Sequence, residues 1–113
     1  MKIEHVALNV PDPLAMGRWY VEHLGFTIKR RVMESPWVHF LTDDSGSVMI
    51  EIYGNPEVAV PDYAATDPLV LHLALVSADI EADAQRLTDA GATQVGGIQQ
   101  TPAGDRLAML RDP

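Results

Sequence analysis

His5-Val6-Ala7-Leu8 returns 67 residues later as His72-Leu73-Ala74-Leu75, and the same offset carries Asp12 onto Asp79. Leu24-Gly25 then matches Ala90-Gly91 with one residue deleted. A chain of 113 residues is one domain's worth of protein. A repeat of this length therefore divides it into two small modules that share a core. Each half reads as a strand, a helix and further strands, which predicts an α+β fold built from a duplicated unit.

Residues 1–10 read as a strand, with Ile3, His5, Ala7 and Asn9 on one face. Asp12-Pro13 opens a helix, because an aspartate caps free N–H groups and proline suits the first helical position. Leu14, Gly17, Val21 and Leu24 recur at helical spacing, and Gly25 stops the helix. Strands are expected over 26–33, 36–42 and 47–53, with Asp43-Asp44-Ser45-Gly46 as turn chemistry. Module one is thus placed at 1–54 and a linker rich in Pro, Gly, Asn and Asp at 55–67. Module two, 68–113, starts with a strand carrying Val70, His72, Ala74 and Val76 on one face and four leucines on the other. Asp79 caps its helix, Ile80, Ala84 and Leu87 form the buried stripe, and short strands follow at 92–98 and 106–110.

Half two is short by one strand. Glu51 stands 26 residues after Gly25; the same distance from Gly91 falls at position 117, past Pro113. Two readings stay open: a chain truncated relative to its natural product, or a sheet completed by another chain.

Composition narrows the chemistry. With no cysteine, disulfides, thiolate metal sites and a cysteine nucleophile are all removed. A formal net charge of −8 repels nucleic acid and anionic membranes, so neither is an expected partner. No secretory signal or spanning stretch is visible, and a cytoplasmic location is the expectation.

His5, Glu51 and His72 each sit mid-strand between apolar neighbours. A carboxylate inside Val48-Met49-Ile50-Glu51-Ile52-Tyr53 loses hydration unless something positive faces it. If the halves stack about a pseudo-two-fold axis, His5 and His72 take matching places. Two imidazoles and a carboxylate converging on a cleft suit a divalent first-row metal, with positions left for water or substrate. Taken singly, a strand histidine is more often a core or rim residue, and a strand glutamate more often faces solvent. Their joint register with the repeat points to a metal.

The strings His5-Val6-Ala7-Leu8-Asn9-Val10, Trp19-Tyr20 to Leu24-Gly25-Phe26, Met49-Ile50-Glu51-Ile52 and Leu71-His72-Leu73-Ala74 resemble the glyoxalase/bleomycin-resistance/extradiol-dioxygenase, or vicinal oxygen chelate, superfamily. The resemblance covers essentially the whole chain. It implies two βαβββ modules whose paired sheets form a cleft, and metal ligands from the first and fourth strands of each module. Here those are His5, Glu51 and His72, the fourth position lying beyond Pro113. It further implies a divalent ion (iron, manganese, nickel, cobalt or zinc) that chelates adjacent oxygens of a small molecule, and a homodimer. A lyase, isomerase or dioxygenase would follow, with Glu51 both ligand and catalytic base. The second class is a non-enzymatic protein that sequesters an antibiotic or metabolite, as bleomycin-resistance proteins do. Glutathione-dependent glyoxalase I is disfavoured, since Asn9-Val10-Pro11 offers no basic residue where that enzyme is expected to hold one.

Other residues are open. His39 faces the cleft if a five-residue turn pairs Thr42 with Val48, and the other face if the turn has four residues. Asn9 is a pocket or rim residue. Trp37, Tyr53 and Met49 wall a pocket or pack the core. Arg106 binds an anionic group or makes a surface salt bridge, and Glu22-His23 reads as solvated surface.

Overall fold

The structure, a computed structural model, describes residues 1–113 and divides into two compact units, Met1–Asp62 and Tyr63–Pro113. No helix is long and apolar enough to cross a membrane.

The first unit runs β1 (His5–Asn9), α1 (Pro13–Leu24), β2 (Thr27–Arg31), β3 (His39–Thr42) and β4 (Met49–Tyr53). Its strands form one sheet in the order β1-β4-β3-β2. β1 lies parallel to β4, which the intervening helix makes possible, while β4, β3 and β2 are antiparallel neighbours. Both ends of α1 follow from its sequence. The Asp12 carboxylate accepts the Ala15 N–H at 2.9 Å, and Gly25 closes the helix at φ 72°, a conformation that costs glycine nothing.

α1 covers one face of this sheet through Pro13, Gly17 and Tyr20, not through the expected Leu14 and Val21, both of which are exposed. The buried stripe is rotated so that Gly17 packs over Ile52 and His39. Tyr20 stacks edge-on against Phe26, and Pro13 sits where a side chain on Gly54 would stand. Leu41 and Ile52, fully buried beneath the helix, anchor the core at roughly 1.5–3 kcal/mol each. A methyl group added at Gly17 would meet its nearest neighbours at 3.6 and 3.7 Å, ordinary contact distances. Gly17→Ala is therefore expected to raise unfolding stability by about 0.5–1 kcal/mol through helix propensity, read from urea melts. A loss of stability would show that the helix already sits as close as it can.

The second unit holds α2 (Ile80–Asp89) and four two-residue strands, β5 (Thr93–Gln94), β6 (Gln99–Gln100), β7 (Arg106–Leu107) and β8 (Leu110–Arg111). Asp79 caps α2 as Asp12 caps α1, accepting the Ala82 N–H at 3.0 Å, and Ala84 is buried with Ile80 and Leu87 half-buried beside it. The strand expected over 106–110 is two pieces. Together the four form a broken antiparallel hairpin: β5 pairs β8 and β6 pairs β7, with four residues on one side of the break and two on the other. Gly96-Gly97 lie in the longer side, where side-chain-free residues accommodate the bulge.

The strand expected around His72 is absent. Residues 70–76 belong to no ladder, and Leu69, Val70 and Val76 are largely exposed. Their pattern, apolar on both faces, is that of a strand buried between layers. Such a strand forms only where neighbours accept its N–H and C=O groups, and no other strand pairs with this one.

Candidate metal-binding site

Alternation along β1 and β4 decides which side chains share a face. Ala7 pairs with Glu51 in parallel register, so His5, Ala7 and Asn9 lie with Met49, Glu51 and Tyr53 on the face opposite α1. On that face His5 Nε2 stands 3.1 Å from Glu51 Oε2. The Glu51 side chain is only 19 % exposed, flanked by Phe40 across the β3–β4 ladder, whose ring meets the His5 imidazole edge-on. These two residues come together, though His5 opens its strand and is not central in it.

The other ring nitrogen of His5 is also engaged. Nδ1 contacts the carboxylate of Glu4, which as an ionised acceptor requires Nδ1 to carry the hydrogen. That bond, followed by the charges of His5 and Arg30, holds the Glu4 carboxyl below its ordinary 4.5. The folded value is depressed, so the contact is fully formed above about pH 4.5 and lost as pH falls through the lowered value. With Nδ1 donating, the neutral ring points the Nε2 lone pair at a carboxylate oxygen. Lone pair and carboxylate repel unless a proton or a cation stands at Nε2. Ligand atoms about 2.1 Å from one ion and at right angles to each other lie about 3.0 Å apart, so the observed separation fits two ligands on one divalent ion. A carboxylate behind the distal nitrogen is the usual orienting partner of a metal-binding imidazole. Sequence reading missed Glu4; an acid directly beside a suspected ligand was the available signal.

His72 lies in the second unit, on the exposed segment outside any ladder, where its Nδ1 donates to the Pro68 carbonyl at 2.9 Å. In the neutral ring that places the lone pair on Nε2. Glu4 and Glu51 stand on opposite sides of the His5 ring, and no group of three or more His, Asp or Glu side chains forms a metal cluster.

The remaining candidates divide between the two sides of the sheet and the surface. The β3–β4 connection has six residues, with Thr42 opposite Met49, so His39 pairs Ile52 and turns beneath α1. Six shares its parity with the four-residue alternative, and His39 accordingly leaves the face of Glu51. It is buried and donates Nδ1–H to the Trp37 carbonyl at 2.7 Å. Trp37 itself adopts φ 58°, uncommon for a bulky residue. His39→Phe, which keeps a flat ring and loses the donor, is expected to cost about 1–3 kcal/mol in denaturant unfolding while leaving the amide signals of the Glu51 face in place. Shifts at His5 and Glu51 would return His39 to the site.

Asn9 clamps the segment after β4, accepting the Asn55 N–H at 2.8 Å and donating to the Val58 carbonyl at 3.0 Å. Met49 and Tyr53 are half-buried on the Glu51 face, as is Trp37 in the loop before β3. Arg106 is bound by both carboxylate oxygens of Glu81, one at 3.0 Å, and makes the salt bridge rather than an anion site. Glu22 is exposed, while His23, 3.9 Å from it, is half-buried against the Trp19 ring.

A family model described as Glyoxalase/Bleomycin resistance protein/Dioxygenase superfamily matches residues 2–113. The chain belongs to that superfamily. Solved structures share the superfamily fold. A member from Sphaerobacter thermophilus DSM 20745 superposes with a TM-score of 0.72 at 18% identity, covering 100% of this chain and 90% of that one. TnmS3, an antibiotic binding protein from Streptomyces sp. CB03234, superposes at 0.74 and 22% identity, covering 100% and 88%. A glyoxalase/bleomycin resistance protein from the same organism gives 0.68 and 22%, covering 99% and 92%. No curated protein matches the chain.

Proposed function

We propose that this superfamily member binds a divalent metal ion through His5 and Glu51, with His72 as third ligand, and acts on a small oxygenated molecule as a vicinal-oxygen-chelate lyase, isomerase or dioxygenase. The observation that carries the reading is the His5 ring, held at Nδ1 by Glu4 with Nε2 at 3.1 Å from Glu51 on the sheet face that α1 leaves open. Iron, manganese, nickel, cobalt and zinc all suit a nitrogen/oxygen site without thiolate. When bound, the ion supplies Lewis-acid stabilisation to an anion on two adjacent oxygens.

The chain's own residues supply the rest. Glu4 orients His5 and keeps Nε2 available. Glu51, a half-buried carboxylate, is the group able to take a proton from a substrate carbon and return it to a neighbouring one. Phe40, Met49 and Tyr53 give that face apolar walls that limit water around the reacting atoms.

A second reading is a binder that sequesters a small molecule without chemistry, as a homologue of antibiotic binding proteins such as TnmS3. It is favoured by the absence of any formed cluster of three ligands. Metal analysis of protein purified without an affinity tag separates the two. The enzyme reading expects a stoichiometric divalent ion, and metal-free protein that takes up none on titration defeats it. The reading also carries a homodimer and a cytoplasmic setting, which sedimentation and fractionation would test.

A further inference from the structure

In a chain with sixteen acids and eight Lys and Arg residues, three of the eight cations line one depression of about 380 Å³ in the first unit. Lys2, Lys29 and Arg30 face it together with Glu4, Ser47 and Met49. Its lining carries three positive charges and one negative, against a chain total of −8. Arg30 is fixed there: its guanidinium lies 3.7 Å over the Phe40 ring and 3.6 Å from the Glu4 carboxylate. The Glu4 carboxylate already accepts from His5. Lys2 and Lys29 have neither an ion pair nor a side-chain hydrogen bond. Two ammonium groups beside a guanidinium repel one another, and with twice as many acids as bases in the chain their lack of a partner leaves a positive potential at one spot.

We infer that this depression receives an anionic oxygen group, carboxylate or phosphate, of the molecule that binds at His5 and Glu51. The inference rests on the proposed site, and the sheet supplies the distance between the two. Arg30 pairs with Phe40 and Phe40 with Glu51 in the ladder, so Arg30 stands two strands from Glu51. At about 4.8 Å per strand, that is roughly 10 Å. The substrate class is then a small molecule with adjacent oxygens at one end and an acid group at the other. The Ser47 hydroxyl, at the rim, is a neutral donor for the same oxygens.

The test is an NMR titration of the full chain at low ionic strength, first with inorganic phosphate and then with succinate. Saturable amide shifts at Lys29, Arg30 and Ser47 are expected, with affinity falling as salt is added. Lys2→Gln with Lys29→Gln, both surface changes, should weaken binding about fivefold per charge, roughly twenty-five-fold together. Tighter phosphate binding assigns a phosphate-bearing molecule, and tighter succinate binding a carboxylate-bearing one. Shifts that never saturate, that centre elsewhere, or that survive the double substitution overturn the inference. Anion binding without metal binding would sink the proposed function alone, and metal binding without anion binding would sink this inference alone.

Discussion

His5→Ala is expected to lower divalent-metal affinity by about a hundred- to a thousandfold, while Glu51→Gln lowers it less and abolishes turnover. A four-ligand zinc site binds with about 10–16 kcal/mol, so each ligand accounts for roughly 2.5–4 kcal/mol, which sets the size of the first effect. Glutamine keeps a carbonyl oxygen that can ligate but cannot take up a proton, which separates binding from proton transfer at the same position. Competition titration against a chelating dye measures the affinities, and circular dichroism checks that each variant folds. His72→Ala belongs in the same series, as the third ligand of the proposal. Equal affinity in the parent and in His5→Ala would remove the metal from the His5–Glu51 pair.

Glu4→Gln is expected to weaken metal binding by about ten- to a hundredfold without removing a ligand. The carboxylate fixes the His5 tautomer, and a neutral amide holds Nδ1–H less firmly and withdraws the negative charge that makes Nε2 a better donor. Nitrogen-15 NMR of the imidazole gives a readout that mere destabilisation would not move: the parent ring should be protonated at Nδ1, and the variant should mix tautomers. Asp at position 4 should recover part of the affinity. Unchanged affinity together with an unchanged tautomer would make the Glu4 contact incidental.

The local rules of the chain were legible in its sequence. Asp12-Pro13 and Gly25 mark α1 because capping and a left-handed stop depend on a few adjacent residues. Asp79 marks α2 for the same reason. The pairing of His5 with Glu51 was legible because both stand on period-two strands and one offset of register places them on one face. Side choices that depend on distant or irregular features were not. The face of His39 hangs on the length of the 43–48 connection, and composition does not distinguish a turn of four, five or six residues there. The rotation of α1 puts Gly17 on the buried side, a residue that apolar periodicity ranks below Leu14 and Val21. Residues 69–76 read as a strand because their side chains fit one, but a ladder is a property of two segments. The gathering of Lys2 with Lys29 and Arg30 spans β1, α1 and β2, so spacing along the chain gives no hint of it.

The six-residue link between β3 and β4 carries a consequence for how such a chain can diverge. A slip of one residue in the pairing of Thr42 with Met49 would exchange the two sides of β3, bringing an imidazole up among the acids and sending Phe40 under the helix. A slip of two would keep each side chain on its face while changing every partner across the ladder. Descendants of this fold can therefore resize the loop itself as long as that pairing is held.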